Sequence, residues 1–226
     1  MDLTKATISS KEAPIETDPK RLIPYLCNNF YRLGWVSGTG GGMSIKISNK
    51  IYIAPSGVQK EMMRPEDIFV IDAVGEIIEK PLNCNLSMSE CTPLFLNAYR
   101  MRNAGAVIHS HSINSNLVTV ITPGTEFRIT RQEMIKGIRK GSALVSHRND
   151  ETLIVPIIEN TCYERELTEK MADAIRKYPD TNAVLVRRHG VYVWGPSWQG
   201  AKTMAECYEY LFEIAVEMRK LNMRYD

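Results

Sequence analysis

The chain has 226 residues, 44% hydrophobic and 24% charged, with 28 Lys+Arg against 26 Asp+Glu and a formal charge of +2. That balance suits one domain with a sizeable core and gives no global electrostatic attraction for nucleic acid or an acidic membrane surface. No apolar run reaches the length of a transmembrane helix, and the polar first twenty residues lack the apolar core of a secretory signal.

Residues 1–17 carry almost no apolar surface to offset ordering entropy and are expected to form a disordered leader, with a single domain over 18–226. Asp18-Pro19 starts a helix, Asp18 as N-cap and Pro19 in the first turn, and Leu22, Leu26, Phe30 and Leu33 follow at helical spacing until Gly34. Residues 38–42 (GTGGG) form a loop. Residues 43–48 and 51–54 alternate with period two around Asn49-Lys50 and predict a hairpin, and residues 68–71 a further strand.

A helix is expected over 89–102, a strand over 106–111, and a helix including residues 117–121 that stops before Pro123-Gly124. A strand over 153–158, a helix over 164–178 and a strand over 183–186 come next. Residues 191–194 then return antiparallel after His189-Gly190, and a long helix over about 197–221 closes the chain. Interleaved strands and helices with hairpins predict a layered α/β domain with a mixed sheet.

Of four histidines, His109 and His111 lie two apart on an apolar strand, so both rings project from one face while Ser110 points away. Such a pair can meet one ion, although it also fits two half-exposed polar residues at a strand end. His189, at the tip of an apolar hairpin, adds a third imidazole, and three histidines with an open position are the catalytic rather than the structural metal arrangement. His147, in the polar stretch SHRND, reads as a solvated loop residue.

The glycine loop fails G-x-G-x-x-G because Met43 stands at its end, and a strand follows it instead of a helix. What remains is a run of N–H groups able to approach an anion. Ser56-Gly57 makes a similar small turn with Lys60 nearby, and Ser89 opens the helix over 89–102. Together Gly41, Ser56, Gly57, Lys60 and Ser89 point to a phosphorylated ligand. The plain reading is three tight turns and a helix cap. Cys27, Cys84, Cys91, Cys162 and Cys207 are odd in number and contain no C-x-x-C pair. They argue against a disulfide framework or zinc knuckle and favour a reducing cytoplasm.

The stretches YRLGWVSGTGGGMSIK, IYIAPSGVQKE, ECTPLFLNAYRMRNAGAVIHSHS, RQEMIKGI, VPIIENT and AVLVRRHGVYVWG run from about residue 20 to residue 221. They resemble the class II aldolase/adducin-head family. The resemblance implies an α/β fold, three-layer α/β/α with a central mixed, mostly antiparallel sheet. It also implies four-fold homotetramers with active sites near subunit boundaries. It puts one divalent metal per subunit, zinc first and iron, cobalt or manganese as alternatives, on His109, His111 and His189. Glu133 matches the acid/base of the dehydrating members, and Cys91 a substrate-binding cysteine.

Glu90, nineteen residues before His109, stands where related aldolases carry a catalytic carboxylate and is the runner-up for proton transfer. Without the resemblance, Glu133 reads as a solvated charge beside Lys136 and Cys91 as a small buried residue. The implied reaction is metal-dependent dehydration of 5-methylthioribulose 1-phosphate to 2,3-diketo-5-methylthiopentyl 1-phosphate, in methionine salvage. The same scaffold serves sugar-phosphate aldolases and epimerases, as well as adducin-like heads acting only in protein interaction. Such a head need not keep a metal triad, and this chain has all three histidines.

Overall fold

The structure, a computed structural model, describes residues 14–143 and 145–226. Of the expected leader, residues 1–13 lie outside the described residues and Ile15–Thr17 form a 3-10 turn. Helix α1 (Pro19–Arg32) begins as expected, with the Asp18 carboxylate accepting from the Lys20 N–H at 3.0 Å. Leu22, Leu26 and Phe30 are buried along one face. Leu33 is not part of that face: it caps the helix and is exposed, and the chain leaves through Gly34 at φ +75°.

Strands β1 (Gly42–Ile47) and β2 (Lys50–Ile53) form the expected hairpin, followed by β3 (Phe69–Ile71) and β4 (Ile77–Glu79). Helix α2 (Thr92–Arg102) starts three residues later than expected, because Ser89 to Cys91 form a capping turn instead. In that turn Ser89 Oγ accepts from Cys91 N and Ser89 O from Thr92 N. Strand β5 (Ala106–Ser110) leads into α3 (Ile113–Ile121), which starts earlier than the minimal expectation because Ser112 caps it.

After β6 (Glu126–Thr130) a 3-10 turn, Glu133–Gly137, precedes β7 (Thr152–Ile158). A second 3-10 turn, Glu164–Leu167, runs into α4 (Thr168–Lys177). Strands β8 (Ala183–Val186) and β9 (Gly190–Gly195) form a hairpin, and α5 (Trp198–Lys220) ends the fold.

The sheet order is β4-β3-β2-β1-β5-β9-β8-β7-β6. Every pairing is antiparallel except β7 with β8, as expected of a mixed, mostly antiparallel sheet. One face packs Leu22 and Phe30 of α1, Val118 of α3 and Leu211 and Phe212 of α5 on Met43, Ile108 and Val193. The other packs Leu94 and Phe95 of α2 and Met171 and Ile175 of α4 on Val107, Val184 and Trp194. The result is three layers with the sheet in the middle. Strands β5, β7 and β8 run the same way, and β6 and β9 run opposite. The C-terminal end of β5 therefore lies at the same rim as the β8–β9 turn, and the C-terminal end of β6 at the opposite rim.

Candidate metal centre

Alternation along β5 puts Val107 and His109 on the α2/α4 face and leaves Ala106 and Ile108 on the other. His109 is fully buried, paired in register with Tyr192, and its ring lies flat on the Tyr192 ring with centroids 3.9 Å apart. His111 follows one residue past the strand end. His189 sits at the β8–β9 turn, where Gly190 lets the chain pass so close to Ser110 O that a Cβ would stand 2.0 Å from it. The three predicted histidines do converge. His111 Nε2 lies 2.8 Å from His109 Nε2 and 2.9 Å from His189 Nε2.

The outer ring nitrogens fix how the rings are presented. His109 Nδ1 faces the Val191 carbonyl at 3.1 Å, so it carries the hydrogen and leaves Nε2 with a lone pair directed inward. His189 Nδ1 faces Asn160 Oδ1 at 3.2 Å. Burial, followed by the neighbouring imidazoles, pushes His111 down to about 3 and His189 down to about 4. Inward-facing ring nitrogens at a common point fit a divalent cation, and the three residues form a ligand group of metal-binding compactness.

Of the loops expected to bind phosphate, the glycine loop lies against this point. Gly40 lies against the His111 ring, where a Cβ would stand 2.5 Å from Nδ1, and Gly41 at φ +68° sits against the His109 carbonyl. The loop thus needs its glycines for close approach to the histidine strand. Lys60 is buried, its Nζ donating to Thr39 O at 2.8 Å and Val58 O at 3.2 Å. Burial lowers its pKa, against a smaller opposing pull from Cys27 and Cys91. Ser56 N donates to Ser87 O at 2.9 Å, and exposed Gly57 stands at φ +67°. Ser89 is tied to Cys91 as described.

Cys91 is buried, and burial together with the Glu164 charge pushes its thiol up to about 12. It is therefore a protonated packing group at neutral pH. Glu90, beside it, is exposed.

Glu133 is the residue that the fold does not bring in. It follows β6, at the rim opposite the triad, and β7 alone, Thr152–Ile158, separates the rims by roughly 20 Å. Its side chain is 71% exposed and pairs with Lys136 at 2.6 Å. His147 also differs from expectation. It is largely covered, with Nδ1 3.3 Å from Glu151 Oε2, because the hydrogen bond from its N–H to Ile138 O folds the loop inward.

Sequence reasoning missed Glu164, Tyr192 and Asn160. Glu164 Oε1 lies 3.1 Å from His109 Nε2 and 3.8 Å from His189 Nε2, and the Tyr192 hydroxyl donates to it. Burial alone would raise the Glu164 carboxyl, but His109, Tyr192 and His189 hold it well below the usual carboxylate range. In the sequence Glu164 looks like any acidic residue in a helix's first turn. A mouth of about 620 Å³ opens beside the centre, lined by Ser37, Asn116, Thr161 and Arg188 together with His111, His189 and Glu164.

The model of the Class II Aldolase and Adducin N-terminal domain matches residues 21–216. Methylthioribulose-1-phosphate dehydratase of Gallus gallus is 61% identical over 203 residues, covering 89% of this chain and 84% of that protein. The dehydratase of the same name from Mus musculus is 60% identical over 206 residues, covering 91% and 86%. That from Aquarana catesbeiana is 57% identical over 222 residues, covering 96% and 90%. Among solved structures, an L-fuculose 1-phosphate aldolase superposes with a TM-score of 0.72 at 20% identity, over 94% of this chain and 91% of that one. The L-fuculose-1-phosphate aldolase of Thermus thermophilus gives 0.68 at 20% identity, over 90% and 96%. At that identity the likeness is one of fold.

Proposed function

The chain belongs to the class II aldolase and adducin N-terminal domain family, and from that premise we propose that it is a metal-dependent hydro-lyase. Its substrate would be 5-methylthioribulose 1-phosphate, dehydrated to 2,3-diketo-5-methylthiopentyl 1-phosphate in methionine salvage. The observation that carries the reading is the convergence of three imidazoles at a sheet rim in a chain 57–61% identical to proteins of that name. His109, His111 and His189 would hold one divalent cation, zinc in the first place. When bound, it supplies Lewis acidity to the substrate's C2 carbonyl and so acidifies the neighbouring C3–H.

The chain's own groups do the rest. N–H groups of the loop at Gly41 and of Ser56-Gly57, with Lys60 and Ser89, are the proposed cradle for the phosphate. Cys91 walls the reacting end. Glu133 takes the C3 proton and delivers one to the departing C4 hydroxyl; the enol left after loss of water tautomerises to the 2,3-diketone. Because Glu133 stands at the far rim of its own protomer, it would serve a triad in a neighbouring copy. A homotetramer closed about a four-fold axis supplies that neighbour once per site. Glu133 is exposed, and Ile113, Leu117 and Val120 form an exposed apolar strip on the helix that follows His111. Both features support this arrangement. No helix among the described residues is long and apolar enough to cross a membrane; the proposed location is the cytoplasm, on the odd cysteine count without a C-x-x-C pair.

The test is consumption of the ketose phosphate by zinc-loaded protein. The reading expects turnover that a chelator abolishes and that His109→Ala lacks. Undiminished turnover after both treatments would exclude it.

A further inference from the structure

We propose that Glu164 is the fourth protein donor of the cation site, a carboxylate ligand set beside the three imidazoles. The inference rests on reading the triad as a cation site. What carries it is the crowding of donor atoms. His109 turns its Nδ1 to the Val191 carbonyl at 3.1 Å, so its Nε2 points inward. That nitrogen faces His111 Nε2 at 2.8 Å and Glu164 Oε1 at 3.1 Å. His189 Nε2 stands 2.9 Å from His111 Nε2 and 3.8 Å from the same carboxylate oxygen.

His109 belongs both to the histidine group and to the group that contains Glu164, so a cation beside it is within reach of the imidazoles and of the carboxylate. Lys60 does not pair with that carboxylate: its Nζ donates to the Thr39 and Val58 carbonyls. Glu164 itself has only 18% of its side chain exposed, and no Lys or Arg pairs with it among the described residues. A carboxylate so enclosed demands a counter-charge.

Its aim is also fixed. Glu164 opens the 3-10 turn that enters α4, and the Tyr192 hydroxyl, itself locked by the stack on His109, donates to Oε1. That is how an outer partner orients a ligating carboxylate. Cys91 Sγ lies in the same cluster with His109 and Glu164, so the fourth donor is a choice between oxygen and sulfur. The approach of its Oε1 to both His109 and His189 assigns it to Glu164.

The experiment is zinc titration of metal-free protein against a chelator of known affinity, with Glu164→Gln, Glu164→Asp, Cys91→Ser and His109→Ala compared. Glu164→Gln should raise the zinc dissociation constant at least about 100-fold, at or beyond the upper end of what loss of an outer partner costs. Glu164→Asp should recover part of that, and Cys91→Ser should change little. Unchanged affinity in Glu164→Gln, with binding lost in His109→Ala, overturns the Glu164 assignment alone. Unchanged affinity in His109→Ala overturns the cation reading beneath it.

Wild-type protein gives a second measurement that needs no variant to fold. The zinc-bound minus metal-free infrared difference spectrum should contain shifted carboxylate stretching bands. Their absence would overturn the proposal.

Discussion

His109 is held from both sides: its Nδ1–H is engaged by Val191 O and its ring is stacked on Tyr192, so its inner nitrogen has one orientation. Replacing His109 or His189 by Ala should remove bound cation and turnover together, measured by metal content and rate on the same sample. Glu133→Gln should keep the cation and lose at least about 10²-fold in rate, the scale of a general acid/base. If Glu90→Gln takes that loss instead, the two carboxylates exchange roles.

The histidines also set a pH dependence. Their folded-state values, about 3 for His111 and about 4 for His189, lie below the ordinary 6.5. The unfolded chain therefore binds their protons first as pH falls. Metal-free protein should lose stability as pH drops from about 6.5 towards 4, seen as a falling urea midpoint. Glu209, whose carboxyl is raised by burial, acts in the opposite sense as a single group against two. A midpoint that rises between pH 7 and pH 5 would contradict the neutral, enclosed His111 and His189 rings.

At the scale of elements, the glycine loop and the long helix make separable predictions. Gly40→Ala drives a Cβ to 2.5 Å from His111 Nδ1. It should weaken cation binding, read by chelator competition, while leaving the melting temperature nearly unchanged. Phe212, fully buried on α5 and in edge contact with Phe127 at 5.3 Å, does the reverse. Phe212→Ala should cost about 3–5 kcal/mol of stability by denaturant unfolding, with cation affinity of the folded fraction retained.

These elements also show what a sequence can disclose. Asp18-Pro19, the β1–β2 hairpin and the His189-Gly190 turn were legible because capping, period-two alternation and a tight turn are local properties. Strand β4 was not legible, since all three of its residues are exposed and carry no burial pattern. Strand β6 did carry alternation, Phe127 and Ile129 buried between more exposed neighbours, in a stretch too short to stand out. The start of α2 was misplaced because Ser89 caps a turn before it caps a helix.

At the scale of the molecule, His189 meets the distant His109/His111 pair because β5 and β9 are neighbours in register and share one rim. The pair was legible from its spacing, and His189 from its place at a hairpin tip and from the family resemblance. The contribution of Glu164 was not, since nothing local distinguishes it, and neither was the far-rim position of Glu133, which depends on the direction of β6. The far rim yields a prediction about assembly. His189→Ala and Glu133→Gln subunits, each inactive alone, should regain about a quarter of wild-type activity when unfolded and reassembled together, since random neighbours complete that share of sites. No recovery would place the acid/base within one protomer.

Most directly, the product itself reports the chemistry. Zinc-loaded protein incubated with 5-methylthioribulose 1-phosphate should yield one compound, lighter than the substrate by one water and carrying a 2,3-diketone. Two smaller fragments, as carbon–carbon cleavage gives, or an isomer of unchanged mass would contradict the account.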